Sequence, residues 1–282
     1  MKWFSQRKGL KPTKTEIQID SMDSDLRNRL WNALTRYYWS QCGWNIQGFH
    51  YAYKDLELLR NRIWHSHFKA PFHTMGSSWD DALREITEHF FGCEWYEVYD
   101  FIEFAAYNYP NAETNQRFTD QCNSILEEEI SAYRFVGGRI TQITSEEEIS
   151  EIEEALATPP KPVQTHLKKA LDLLSDKKAP DYRNSIKESI SAVESMCNKI
   201  TGSKKATLGK CLDKIDSKMP THGALREAFD HLYGYASSEE GIRHGSIEES
   251  EVDFDIAKFM LVSCSAFVNY LVSKASKAGI EI

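Results

Sequence analysis

The chain has 282 residues, 41% of them apolar, and carries 34 basic against 42 acidic side chains for a net charge of −8. That length is enough for about two domains, and the charge excludes a chain that is basic throughout while leaving room for a local basic face. No unbroken apolar run approaches the about 18 residues of a membrane span, and the basic start lacks the apolar stretch of a secretory signal, so a cytoplasmic protein without membrane contact is expected.

In the first half, Leu26, Leu30, Leu34 and Tyr37 recur at spacings of 4, 4 and 3 and form one helix face. Leu56, Leu59 and Ile63 continue that period in a second helix. Ser78 is placed to cap a third, with Trp79, Leu83, Ile86 and Phe90 on its apolar side. A fourth is predicted from about Trp95 to Tyr107, ahead of Pro110, and Phe118, Cys122, Leu126 and Ile130 mark a fifth. The period then changes. From Tyr133 to Ile143, β-branched and aromatic residues alternate around Gly137-Gly138, which predicts a tight hairpin. Ser145 and Glu148 have the spacing of a capping box and open a short helix.

Composition shifts at Thr158-Pro-Pro-Lys-Pro162. Of 34 aromatic residues, 26 precede residue 158, and all seven Trp lie between Trp3 and Trp95. Residues 1–157 carry a net charge of −9 and residues 158–282 a net charge of +1. Proline restricts the residue before it and supplies no donor, so 158–162 reads as a stiff linker between domains 1–157 and 163–282. The second half predicts an antiparallel helical bundle. Ile186, Ile190, Val193, Cys197 and Ile200 form a packing seam, with Asp181 as N-cap and Gly202 as stop. Leu208, Cys211, Leu212 and Ile215 make a shorter helix, and Leu225, Phe229, Leu232 and Tyr233 the next. Ile256, Phe259, Met260, Ser263, Phe267 and Tyr270 lie on one side of the last. The fold class is therefore mainly α: an aromatic-rich helical domain with a small β-hairpin, followed by a helical bundle.

The chemistry-bearing residues are sparse. Nucleotide-binding glycine loops and the serine-hydrolase elbow are absent from the sequence. The six cysteines are widely spaced with no C-x-x-C, the pattern of buried free thiols. His65 and His67 form H-x-H with His50 and His73 nearby, but positions two apart on a helix diverge, so no metal site and no cofactor is expected. The runs Glu127–Glu129 and Glu146–Glu148 read as solvated helix faces. Eight basic groups and interleaved rings in the first 36 residues are compatible with phosphate binding or with a mixed surface. Residues 161–218 hold 13 basic and 7 acidic groups, and Lys204, Lys205 and Lys210 fall in the cluster at one end of the bundle, a candidate footprint for RNA.

Gly241-Ile-Arg-His-Gly245 precedes the last helix. Arg243 and His244 there are a usable pair for phosphodiester cleavage: an imidazole to take the proton of a ribose 2′-hydroxyl, and a fixed cation to stabilise charge on phosphorus.

Several stretches resemble the AbiJ-like abortive-infection proteins. In the first half they are Phe4-Ser-Gln-Arg-Lys-Gly9, Leu26-Arg-Asn-Arg-Leu-Trp-Asn32, Trp95-Tyr-Glu-Val-Tyr-Asp-Phe-Ile-Glu103 and Tyr133-Arg-Phe-Val136. The second half is similar to a HEPN domain at Tyr182-Arg-Asn-Ser-Ile-Lys-Glu-Ser-Ile-Ser-Ala-Val-Glu194, Leu232-Tyr-Gly-Tyr235, Gly241-Ile-Arg-His-Gly245 and Cys264-Ser-Ala-Phe-Val-Asn-Tyr-Leu271. The resemblance implies a helical homodimer with metal-independent endoribonuclease activity, used as a toxin in anti-phage defence and released by a phage-derived trigger. It also implies a signature Arg separated from the His by four to six residues. The chain departs from that spacing: Ser237, Ser238 and Glu239 stand where the Arg would be, and Arg243 is adjacent to His244 instead. Arg226 and His231 match the spacing formally but lie mid-helix, so Arg243 and His244 are preferred. Arg183 and Asn184 resemble a further HEPN position and are candidate RNA contacts. The alternative is a non-catalytic HEPN module that dimerises and binds nucleic acid or nucleotide.

Overall fold

The computed structural model describes residues 4–8, 10, 16–44, 50–52, 54–176, 180–204, 207–217, 220, 222–237 and 252–282. The fold is mainly α, as the periodicities predict. The chain forms two compact units, Met1–Gln142 and Ile143–Ile282.

The first unit contains α1 (Phe4–Arg7), α2 (Ser24–Leu34), β1 (Cys42–Trp44), β2 (His50–Ala52), α3 (Lys54–Arg62), α4 (Trp79–Gly92), α5 (Trp95–Asn108), α6 (Ala112–Glu128), β3 (Arg134–Val136) and β4 (Arg139–Thr141). Helix starts follow their caps. The Ser78 hydroxyl accepts from Asp81 N at 3.1 Å, and Asp23 Oδ1 accepts from Leu26 N at 2.9 Å. α2 and α3 each run on into a π-helical stretch, Thr35–Trp39 and Ile63–Phe68. The wider turn, seen in the Ser40 N to Thr35 O bond at 2.9 Å, advances the buried face by a residue. Tyr38 and Trp39 are therefore buried, and Tyr37, expected to continue the face, is only half-buried. Trp39, Trp79, Phe90, Phe101 and Phe118 form the centre of the core with the leucines of α2 and α3.

The predicted hairpin forms with Phe135 opposite Ile140. Gly137 and Gly138 both take positive φ, 55° and 83°, as a two-residue turn of this hand requires. Asn123 clamps β3 through both backbone groups of Phe135, at 2.9 and 2.7 Å. The Glu103 carboxylate holds β4, accepting from Ile140 N at 2.8 Å and from Arg139 at 2.7 Å. The β1–β2 pair has no counterpart in the sequence prediction.

The second unit contains α7 (Glu146–Ala157), α8 (Lys161–Ser175), α9 (Tyr182–Thr201), α10 (Leu208–Asp216), α11 (Gly223–Ser237) and α12 (Phe254–Lys277). The proline stretch forms the N-terminus of α8, with Pro160 as cap and Pro162 in the first turn, where a missing N–H costs nothing. α7 lies within the second unit and packs on α12 and α8, so the compact units part earlier than residues 158–162. α8 and α9 are antiparallel: Ser185 donates to Ala170 O at 2.8 Å, and Glu188 accepts from Lys169 and lies 2.7 Å from His166 Nδ1. Burial alone would raise the Glu188 carboxyl, but these hydrogen bonds outweigh it and hold the group below its ordinary range. The predicted seam on α9 is buried throughout, and Gly202 ends the helix at φ 72°. Cys197 on that seam hydrogen-bonds Cys211 of α10, and together with burial this raises its thiol pKa.

Two expected core faces differ. On α12 the buried residues are Ala257, Met260, Leu261, Cys264, Ser265, Phe267, Val268, Leu271 and Ala275, whereas Phe259 is 58% exposed. The face is rotated because α7, α8 and α9 all pack on this helix and enclose more than one stripe. On α11, Phe229, Leu232 and Tyr233 are half-buried and Leu225 is exposed. α12 is long and apolar enough to cross a membrane by composition, but its apolar side is used inside the unit.

Phe101→Ala should therefore cost about 3–5 kcal/mol in urea unfolding, and Phe259→Ala less than about 0.5 kcal/mol. Equal losses would contradict this assignment of the α12 face.

Candidate functional site

Arg243, His244 and Lys205, which include the preferred catalytic pair, lie outside the described residues. The alternative pair is described. Arg226 is ion-paired with Asp213 at 2.7 Å and Asp216 at 3.4 Å, and its guanidinium also reaches Gly209 O. Its side chain thus holds α11 against α10. His231 is exposed five residues along α11, and at about 100° per residue it lies roughly 140° around the helix from Arg226. The two do not converge.

The candidate RNA contacts divide between the ends of α9. Arg183 and Asn184 occupy its first turn. Asn184 is held by the Asp181 cap, its backbone N–H donating to Oδ1 at 2.9 Å and its side-chain amide to Oδ2 at 2.6 Å. Lys204 follows the other end, and Lys210 sits on α10, both exposed with Lys199 and Lys214. The run of helix from Arg183 to Thr201 spans about 27 Å. The start of α9 does meet the start of α12: the Tyr182 and Phe254 rings lie 6.2 Å apart.

The basic residues of α2 act in folding. Arg27 donates to Phe90 O and Cys93 O at 2.9 and 2.8 Å, capping the end of α4. Arg29 pairs with Glu128 and Glu129 at the end of α6. Trp31 packs on Phe90 and Phe91.

The histidines separate as the H-x-H argument requires. His65 is exposed, and His67 turns inward, its ring 5.2 Å from those of Phe101 and Phe104 and 5.6 Å from that of His89. The side chain of His50 is outside the described residues. Among the described residues, no three His, Cys, Asp or Glu side chains form a group able to hold a metal ion. Burial pushes the His67 imidazole down to about 4, the neighbouring His89 adds to this, and Glu97 opposes it. Burial likewise lowers His89, whose Nε2 is buried without a hydrogen-bond partner among the described residues. Both rings line a cavity of about 460 Å³, closed on another side by Glu97, Asp100, Glu103 and Phe104 of α5. No motif in the sequence marks this cavity. Its one legible signal is the spacing of Glu97, Asp100 and Glu103, three residues apart on a helix otherwise rich in aromatics.

Fold and side chains together describe a helical protein of two units: an aromatic-cored unit with a polar cavity, and a helical unit built on α8, α9 and α12. The family model for AbiJ N-terminal domain 4 matches residues 2–158, more than half the chain, and the protein belongs to that AbiJ family. This match runs past Gln142 and takes in α7. Neither the curated proteins nor the solved structures hold a significant match.

The unfolded chain binds the His67 proton near 6.5 and the folded chain only near 4. The neutral ring's contribution is therefore complete above about pH 6.5 and declines as pH falls toward 4. Between about pH 7.5 and pH 5, urea unfolding should lose about 1–2 kcal/mol that His67→Gln does not lose. An unchanged pH dependence in that variant would contradict the assignment.

Proposed function

We propose that the protein is a cytoplasmic effector of anti-phage abortive infection whose second unit is a HEPN-type, metal-independent endoribonuclease. Membership of the AbiJ N-terminal domain 4 family supports the defence role. The nuclease reading rests on one observation: Gly241-Ile-Arg-His-Gly245 leads into α12, a 24-residue helix whose start adjoins the start of α9, where Arg183 and Asn184 sit.

In this reading His244 takes the 2′-hydroxyl proton of the RNA. The freed oxygen attacks the adjacent phosphorus, and the 5′-oxygen leaves as it gains a proton. Arg243 stabilises the charge that builds on the phosphoryl oxygens. The products are a 2′,3′-cyclic phosphate and a 5′-hydroxyl. Arg183 contacts phosphate. Lys204, Lys205 and Lys210 guide the RNA backbone. A homodimer formed through the second unit would bring two Arg–His pairs to one cleft, and the first unit would restrain the nuclease until a phage-derived trigger arrives. The second reading, a non-catalytic RNA-binding module, is favoured by the departure from the Arg-to-His spacing and by seven acidic groups among residues 239–255.

Purified protein incubated with end-labelled structured RNA in excess EDTA should leave cyclic-phosphate ends, and both Arg243→Ala and His244→Ala should reduce cleavage at least about a hundredfold. Cleavage that appears only on adding metal and leaves 5′-phosphates would exclude this mechanism. RNA binding without cleavage by any variant would establish the second reading.

A further inference from the structure

Two of the six cysteines meet in the second unit. Cys197 on α9 and Cys211 on α10 lie 14 residues apart in the chain and share a thiol–thiol hydrogen bond. Among the described residues no other pair of thiols is joined in this way. Cys42 and Cys93 are half-buried, and Cys122 on α6 and Cys264 on α12 are buried singly. A disulfide needs its sulfurs at about 2.05 Å, so bonding requires that α10 settle closer to α9.

α10 is suited to that movement. It has nine residues, too few to hold a helix alone in water. Leu208, Cys211, Leu212 and Ile215 form its buried face, while Lys210, Asp213 and Lys214 are exposed. α9 buries nine residues and α10 four, so α10 opens more readily than the helix it covers. Its ion pairs to Arg226 of α11 are partly exposed, and such pairs hold weakly in water. Closed, the pair is inert: both thiols are buried, and the bond to Cys211 together with burial keeps the Cys197 thiol protonated. When α10 lifts, Cys211 leaves with it and the bond between the thiols is broken. A thiol in water ionises at about pH 8.5, which supplies some reactive thiolate near neutral pH.

We propose that Cys197 and Cys211 form a reversible disulfide, made by a peroxide and undone by a dithiol reductant, that locks α10 onto α9. The Cys211 thiolate attacks one peroxide oxygen. The O–O bond breaks, and the departing hydroxide takes the proton lost by the thiol and becomes water. As α10 closes, the Cys197 sulfur attacks the Cys211 sulfenic acid: the S–S bond forms, the S–O bond breaks, and hydroxide leaves as water with the Cys197 proton. Two thiols together lose two electrons, and one peroxide becomes two waters. The bond closes a short loop and restricts the opening of α10. It also fixes the spacing of the exposed Lys199 and Lys204 at the end of α9 against Lys210 and Lys214 on α10. This assignment is independent of the ribonuclease reading and stands or falls without it.

Peptide mapping of the full wild-type chain tests it, without any substitution in the core. The protein is exposed to hydrogen peroxide under native conditions, and remaining thiols are then blocked with N-ethylmaleimide in denaturant. Tryptic peptides are read by mass spectrometry with and without dithiothreitol. The expected product is one dominant cross-link, peptide 188–199 joined to peptide 211–214, which dithiothreitol releases. Hydrogen exchange across α10 should then slow at least about tenfold in the oxidised protein, with exchange in the first unit unchanged. Recovery of Cys197 and Cys211 as blocked thiols would overturn the proposal, whether or not Cys42 and Cys93 take up oxygen. So would cross-links of either residue to other cysteines in equal yield. A cross-link that leaves exchange across α10 unchanged would overturn the locking of that helix.

Discussion

The first unit depends on taking one side of α5 out of water. Val98, Tyr99, Phe101, Ile102 and Ala105 are buried there, and Phe101 lies within ring contact of Trp39, Phe90, His67 and His89. A fully buried phenylalanine removes a large apolar area, worth about 1.5–3 kcal/mol relative to exposure. The other side of α5 remains charged. Because the core fixes the helix rotation, Glu97, Asp100 and Glu103 must share one wall. The same burial carries His67 and His89 inward and lowers the pKa of both imidazoles. The carboxylate-bearing wall of α5 is thus a consequence of core packing.

The second unit is built differently. Its core is aliphatic, with α9 supplying Ile186, Ile190, Val193, Met196 and Ile200 and α12 supplying Met260, Leu261, Val268 and Leu271. Polar groups join the helices at their margins. Glu188 ties α9 to α8, Arg226 ties α11 to α10, and the Tyr233 hydroxyl reaches Glu194 of α9 at 2.7 Å. α7 completes the unit: Asn269 of α12 donates to Glu151 O at 3.0 Å and to its carboxylate at 2.9 Å, and Lys258 pairs with Glu148. A helix that the AbiJ family match includes is thereby part of the second compact unit. Covalent neighbours and packing neighbours are therefore divided differently, a property no composition shift reveals.

Local signals in the sequence are legible wherever one turn decides the structure. Ser78, Asp181 and Gly202 act as the caps and the stop that their positions predict, and Gly137-Gly138 turns the hairpin. Signals that depend on several neighbours are less so. The π-helical stretch after α2 advances the buried face from Tyr37 to Tyr38, and no residue pattern announces that extra step. A period of 3.6 puts Phe259 on the core face of α12, but three packed neighbours choose a rotation that exposes it. The prolines at 158–162 carry a correct local meaning, restricted backbone, and a helix start satisfies it as well as a linker does. The cavity is hidden for a related reason. His67 is legible as a candidate ligand among its sequence neighbours, but its actual neighbours, His89 and Glu97, come from other helices.

The central functional claim, that this AbiJ-family protein halts infected cells through Arg243 and His244, is tested most directly by phage challenge of bacteria carrying wild type or His244→Ala at low and at high multiplicity of infection. Wild-type cultures are expected to survive low multiplicity but to collapse at high multiplicity without releasing phage, and His244→Ala cultures to be lysed in both. Full protection by His244→Ala, with the variant present at wild-type abundance, would contradict it.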